Sequence, residues 1–344
     1  MKFKQDEIIF LVGAGISADA GVPVSSEMVK DVEKLVNNEW SRFKDLYFLV
    51  KSGVEFSYGI QGKRPIFNIE VLVNILNELE KKEMHPLYPF IGSWHIKFNE
   101  VIGNNFNLIK EFRERIIEQL KAWVNPSDLR KADYLKKLSY LKKDINFPLR
   151  VFSLNYDLLL EKKLEEEGLT IERGFEEDTR EWNYKRFTEL SEEPDIYLYK
   201  LHGSIDWERD RETQVVRYVD SIPREPDLIF GTQYKMQYID PYLFMISEFR
   251  HYCLKARLIV CLGYSFSDEH VNSILSQSLL KNNVVKMHIL AYNEEEEKIK
   301  NILKCSTDRL NIITNKKAKE YFEEDLKLDT FLGLFTEDES ENII

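Results

Sequence analysis

Cysteine is scarce: Cys253, Cys261 and Cys305 are the only three in 344 residues, and no Cys-x-x-Cys pair occurs. This excludes a disulfide framework and a four-thiolate zinc site. The six histidines include no His-Glu-x-x-His and no pair at i, i+4, so a helical metal site has no support and no metal is expected. No apolar run reaches the ~18 residues of a membrane span. The opening MKFKQDEIIF turns to charge too early for a signal peptide. A basic excess is missing as well: 48 Lys and Arg stand against 59 Asp and Glu, a net charge of −11. Neither nucleic acid nor an anionic membrane is expected as a partner, and the expected location is cytoplasmic. Internal repeats and low-complexity linkers are also wanting. What is present suffices for a real core, with 43% hydrophobic and 12% aromatic residues. At ~150 residues per domain the length corresponds to two domains, or to one carrying an insertion.

The run Ile8 to Val12 is β-branched and apolar and ends in the turn GAGIS, which predicts strand, glycine turn, helix. From Met28 onward apolar residues recur at helical spacing, and further helical patterns cover 69–79, 108–123 and 129–141. After Pro148 the pattern switches. Five short apolar runs follow, LRVFSLNYD (149–157), DIYLYKLHGS (195–204), DLIFGT (227–232), RLIVCLGYS (257–265) and KMHILAYN (286–293). Helical patterns lie among them, at 158–168, 242–255, 269–280 and 294–303. Continuous rather than alternating apolar strands, interleaved with helices, predict a parallel sheet covered on both faces. The expected architecture is α/β, a doubly wound Rossmann-like domain formed by 1–27 and 146–328. A helical insertion over 28–145 and an acidic tail over 329–344 complete it.

The glycines of GAGIS (Gly13, Ala14, Gly15, then Ser17) would let a backbone approach a pyrophosphate at a helix N-terminus. A plain tight turn is the blander alternative, and Gly-x-Gly alone is a weak signal. Asn155 and Asp157 close the second predicted strand, where open α/β sheets bind ligands; on residue type alone an Asx turn and helix cap is the favoured reading. His202 closes the next strand and is followed by Gly203. Histidine is the side chain best suited to moving a proton near neutrality, though a lone one is more often structural. Later strand ends add Gly263, Tyr264 and Ser265, whose stretch to Asp268 also reads as a capped helix start, and Asn293. His85, His95, His251, His270 and His288 read as structural or surface residues, except that His270 lies near enough to the strand-end motif to warrant a variant. Trp40, Tyr47, Tyr58, Tyr88 and Trp94 of the insertion are either core or a contact for a partner.

Taken in order, GAGIS with Gly21 and Pro23, the Asn155-x-Asp157 strand end, His202-Gly203, Gly263-x-Ser265 and Asn293 resemble the sirtuin family. The resemblance covers about 5–27 and 148–300. The chain departs from sirtuin deacylases in three respects. It lacks their zinc-binding cysteine pairs and carries the helical insertion; GVPVSSEM has no Asp-Phe-Arg; and LNYD replaces Gln-Asn-Ile-Asp. LHGSIDW and GYSFSDEH look like the divergent bacterial sirtuin-like proteins of antiphage defence, which consume NAD.

That likeness implies NAD as substrate, hydrolysed to nicotinamide and ADP-ribose by a homo-oligomer with a partner such as a HerA-type ATPase. Carried over residue by residue, Gly13, Ala14, Gly15 and Ser17 would hold the pyrophosphate, and Asn155 the ribose or attacking water. Asp157 would hold the nicotinamide carboxamide and His202 would be the base. Gly263, Ser265 and Asn293 would serve the adenosine side. A non-catalytic NAD or ADP-ribose-binding subunit is the alternative. An NAD-dependent protein deacylase and a nuclease have less support.

Overall fold

The computed structural model describes residues 3–60, 62, 67–80, 96–103, 105, 107–190, 192–230, 239–305 and 307–335. Tyr88, Trp94, His85, His95 and the end of the tail from 336 lie outside the described residues. The chain forms two compact units, one of residues 1–22 with 124–344 and one of 23–123.

The first unit is built on a seven-stranded sheet in the order β3-β4-β2-β1-β7-β8-β9, with every neighbouring pair parallel. Its strands are β1 (Ile8–Val12), β2 (Leu149–Ser153), β3 (Ile171–Glu172), β4 (Ile196–Lys200), β7 (Leu258–Leu262), β8 (Lys286–Leu290) and β9 (Leu310–Ile313). The strands β1, β2, β4 and β7 are buried at every position. This is why their sequences run continuously apolar instead of alternating.

Both faces are covered. Ile9 and Leu11 face a cluster that includes Met245 and Phe249 of α9 (Tyr242–Lys255), Leu275 of α10 (Glu269–Lys281) and Ile299 of α11 (Glu296–Leu303). Phe10 points the other way and meets Phe331 of α13 (Leu328–Leu332) edge to face at 6.1 Å. On that side the 3₁₀ segment Leu129–Lys136 packs on α8 (Leu159–Glu165) and α12 (Ala318–Glu324). The fold is therefore Rossmann-like, a parallel sheet with helices on both sides, as the strand pattern predicts.

Three features differ from expectation. Residues 129–144, including α7 (Lys137–Asp144), pack within the sheet unit because Ala132, Leu135, Leu138 and Leu141 are buried there. Helical periodicity shows that a helix has a buried face and does not name the neighbour. The run DLIFGT forms no strand over its described residues. Leu228 makes one bridge to Gly203, and the Ile229 N–H donates to His202 O at 3.0 Å. Its apolar residues are buried against the loop after β4 rather than paired in the sheet. Finally, the described residues past 328 continue the fold, with Phe331 fully buried.

A two-stranded antiparallel hairpin, β5 (Trp207–Arg209) with β6 (Val216–Tyr218), lies outside the main sheet. A short helix, α1 (Gly15–Ala18), follows β1.

The second unit is helical, with α2 (Ser25–Val36), α3 (Lys44–Ile60), α4 (Ile69–Glu80), α5 (Ile96–Ile102) and most of α6 (Asn107–Val124). Its core includes Phe43 stacked on Phe112 at 4.9 Å. Trp40 and Tyr47 are core residues too, while Tyr58 is half-buried.

Candidate functional site

The carboxyl ends of four strands form one edge. Val12 is in register with Ser153 on one side and Leu262 on the other, and Ser153 with Lys200. Gly13 and Gly263 follow one residue beyond this row, and Asn155 and His202 two residues beyond it. In the strand order the chain runs from β1 outward in both directions. A crevice for ligands opens at such a switch point.

The glycines are demanded by two loops that pack backbone to backbone. A Cβ on Gly13 would lie 2.7 Å from Gly263 O, and one on Gly15 2.8 Å from Gly263 Cα. Gly263 itself has φ +67°, and a Cβ there would run into Ile16 N. The Gly13 N–H donates to Leu262 O and the Gly15 N–H to Gly263 O, both at 2.9 Å. Those amides are engaged, whereas the Ala14 amide has no acceptor among the described residues.

Three polar side chains join β1 to β2. Asn155 Nδ2 donates to Ser17 Oγ at 3.3 Å, and Ser17 Oγ donates to Asp157 Oδ2 at 2.9 Å. Asp157 Oδ1 accepts the Leu159 N–H at 3.0 Å, which starts α8. Asn155 Oδ1 is buried and has no partner among the described residues. Burial pushes the Asp157 carboxyl above the usual carboxylate range, and Glu161 adds to this, while Lys200 opposes it. Lys200, 1% exposed, donates to Glu161 Oε1 at 2.8 Å and to the Asp157 carbonyl at 2.6 Å.

His202 is buried, with Nε2 3.0 Å from Asp268 Oδ2 and Nδ1 without a partner among the described residues. Ser265 is exposed, its Oγ bonded to Ser267 Oγ at 3.1 Å. Asn293 is exposed at the end of β8, with φ +60° and its N–H on Thr314 O at 3.0 Å. His270 offers its backbone N–H to Asp268.

The expected residues thus gather at one sheet edge. Sequence reasoning took Asp268 as part of a helix start and missed its bond to His202. It also missed Lys200 and Glu161, for which the available signal was a lysine closing a buried strand.

A separate open concavity of about 600 Å³ is lined by residues that include Asp133, Lys136, Lys163 and Glu166. Its charges pair with one another, Lys136 with Glu166 and Lys163 with Asp133, each at 2.9 Å. Among the described residues no group of three His, Cys, Asp or Glu could hold a metal ion. No described helix is long and apolar enough to cross a membrane.

Residues 149–319 match the family model described as SIR2-like domain. Similar solved structures include the crystal structure of a Sir2 homologue–NAD complex, at 13% identity and TM-score 0.44, covering 95% of this chain and 90% of that chain. A mutant Sir2 homologue in complex with ADP-ribose has 12% identity and TM-score 0.45, with 92% and 89% covered. Sir2 bound to acetylated peptide has 13% identity and TM-score 0.43, with 95% and 94% covered. No curated protein matches the chain.

Proposed function

We propose that the chain is an NAD hydrolase (NADase) that cleaves the nicotinamide–ribose bond at the crevice formed by β1, β2, β4 and β7. The observation that carries this is a pair of buried acceptors, Asn155 Oδ1 and His202 Nδ1, at the ends of neighbouring strands, that have no partner among the described residues. A ribose diol and an attacking water are hydroxyl donors of the kind those acceptors lack. The match of 149–319 to the SIR2-like domain supports NAD as the dinucleotide.

In this reading water attacks the anomeric carbon as its bond to the nicotinamide nitrogen breaks. The bonding pair leaves with nicotinamide and neutralises its pyridinium charge. The water proton goes to His202 Nδ1. The transition state is oxocarbenium-like, so positioning by Asn155 supplies much of the rate. Asp157, whose protonation burial favours, serves the carboxamide. Ala14 N–H and the surrounding Gly13, Gly15 and Ser17 face the pyrophosphate, with Gly263, Ser265 and Asn293 toward adenosine. Loss of NAD in antiphage defence, self-assembly and a partner ATPase rest on the sequence resemblance.

One observation favours a second reading, a non-catalytic NAD-binding subunit. The Gly13 and Gly15 amides and both Asp157 oxygens are already engaged, so pyrophosphate must displace existing bonds. The test is to incubate the purified chain with NAD, alone and with a HerA-type ATPase, and quantify nicotinamide and ADP-ribose. Equal release of both supports the hydrolase. Saturable NAD binding without release under either condition supports the binding subunit.

A further inference from the structure

We infer that Asp268 is a positioning residue for His202, holding the imidazole as the Nε2–H tautomer so that Nδ1 is the nitrogen offered to substrate. This rests on the proposed role of His202 as base.

Asp268 stands at the N-cap of α10, and its two oxygens have different partners. Oδ1 accepts the N–H of His270 at 2.9 Å and of Val271 at 3.3 Å, which is what a cap requires. Oδ2 is not needed for that and lies 3.0 Å from His202 Nε2, across 66 positions of sequence. The contact is buried, the two side chains being 6% and 4% exposed.

A carboxylate only accepts, so the proton of this bond sits on Nε2, and in the neutral ring the lone pair is left on Nδ1. Nδ1 is the buried nitrogen that has no partner among the described residues. The Asp268 backbone is itself fastened, its N–H donating to the Tyr264 hydroxyl at 3.2 Å, which also lies 2.8 Å from Asn272 Oδ1. The bond joins the loops after β4 and β7, strands that have β2 and β1 between them. It therefore fixes the base relative to the glycine turn as well as orienting its ring.

Asp268→Asn separates capping from positioning. Asparagine caps a helix as well as aspartate. With its oxygen kept on the two backbone N–H groups, its NH₂ takes the place of Oδ2. A donor there pairs with a bare Nε2, so the imidazole proton moves to Nδ1 and the base is lost.

The experiment uses the full chain labelled with ¹⁵N-histidine, with His202→Gln to assign the signal. Long-range ¹⁵N–¹H correlations then read the tautomer without any turnover. The expected result is Nε2–H in the wild type and Nδ1–H in Asp268→Asn. Alongside, kcat for nicotinamide release falls about 10²- to 10⁴-fold with KM within a few-fold, and the thermal midpoint stays close to that of the wild type.

Nδ1–H in the wild type, an unchanged tautomer in the variant, or a changed tautomer with full kcat overturns the inference. A wild type that releases no nicotinamide defeats the hydrolase reading and removes Nδ1 as a base. The tautomer measurement then still decides whether Asp268 orients His202.

Discussion

The Ser17 hydroxyl donates to Asp157 Oδ2 at 2.9 Å, tying the turn after β1 to the loop after β2 across 140 positions. Both residues are buried, and Asn155 Nδ2 leans on the same hydroxyl. Ser17→Ala removes an acceptor from Asn155 and a donor from Asp157 at once. The expected loss is about 1–3 kcal/mol of stability, read as a lower urea midpoint, with Ser17→Thr recovering part of it. An unchanged midpoint in Ser17→Ala contradicts the bond.

Two glycines should respond in opposite directions to alanine. Gly263→Ala combines φ +67° with a Cβ driven into the backbone at Ile16, and should cost on the order of 1–3 kcal/mol or more. Gly53, inside α3, has nothing within 4 Å of its would-be Cβ. Gly53→Ala should gain roughly 0.5–1 kcal/mol. Thermal melts of the two variants beside the wild type check the pair.

Lys200 and Glu161 form an ion pair in which the side chains are 1% and 4% exposed. Lys200→Met leaves a buried carboxylate without its cation and the Asp157 carbonyl without its donor. A loss of about 3–5 kcal/mol is expected. Adding Glu161→Leu should restore much of it, because the remaining charge has gone. Urea titration of both variants measures this; a double variant no better than the single would contradict it.

His288 is held down to about 4 by burial, and its Nε2 lies 2.7 Å from the Tyr321 hydroxyl. The unfolded chain takes up this proton near pH 6.5, whereas the folded chain resists until about 4. Between those values acid favours unfolding, and up to about 3 kcal/mol is lost as pH falls through the window. Burial raises the Asp157 and Glu172 carboxyls, which changes stability in the opposite sense. A variant therefore isolates the histidine. His288→Gln should flatten the fall in melting temperature between pH 6.5 and 4 relative to the wild type, and a variant with the same slope contradicts the assignment.

Much of the sheet could be read from sequence because β1, β2, β4, β7 and β8 are buried or nearly so throughout, which leaves continuous apolar runs. The strands β3 and β9 were not legible, having two and four residues at the sheet edges. DLIFGT misled because an apolar run reports burial and not hydrogen-bond pairing. Asn155, Asp157, His202 and Gly263 were legible by position, since each follows a strand. Asp268 was half legible. Its capping role is local, over two and three residues, while its bond to His202 spans 66 positions and depends on how two loops fold. Lys200 and Glu161 meet across 39 positions, so the lysine that closes a buried strand signals a buried cation locally but does not name its partner.

The most direct test of the central claim is nicotinamide release from NAD by the wild-type chain and by His202→Ala, followed by chromatography, with circular dichroism to verify that both are folded. The account expects release by the wild type and a fall of about 10²- to 10⁴-fold in the folded variant. A folded His202→Ala chain that releases nicotinamide at the wild-type rate contradicts it.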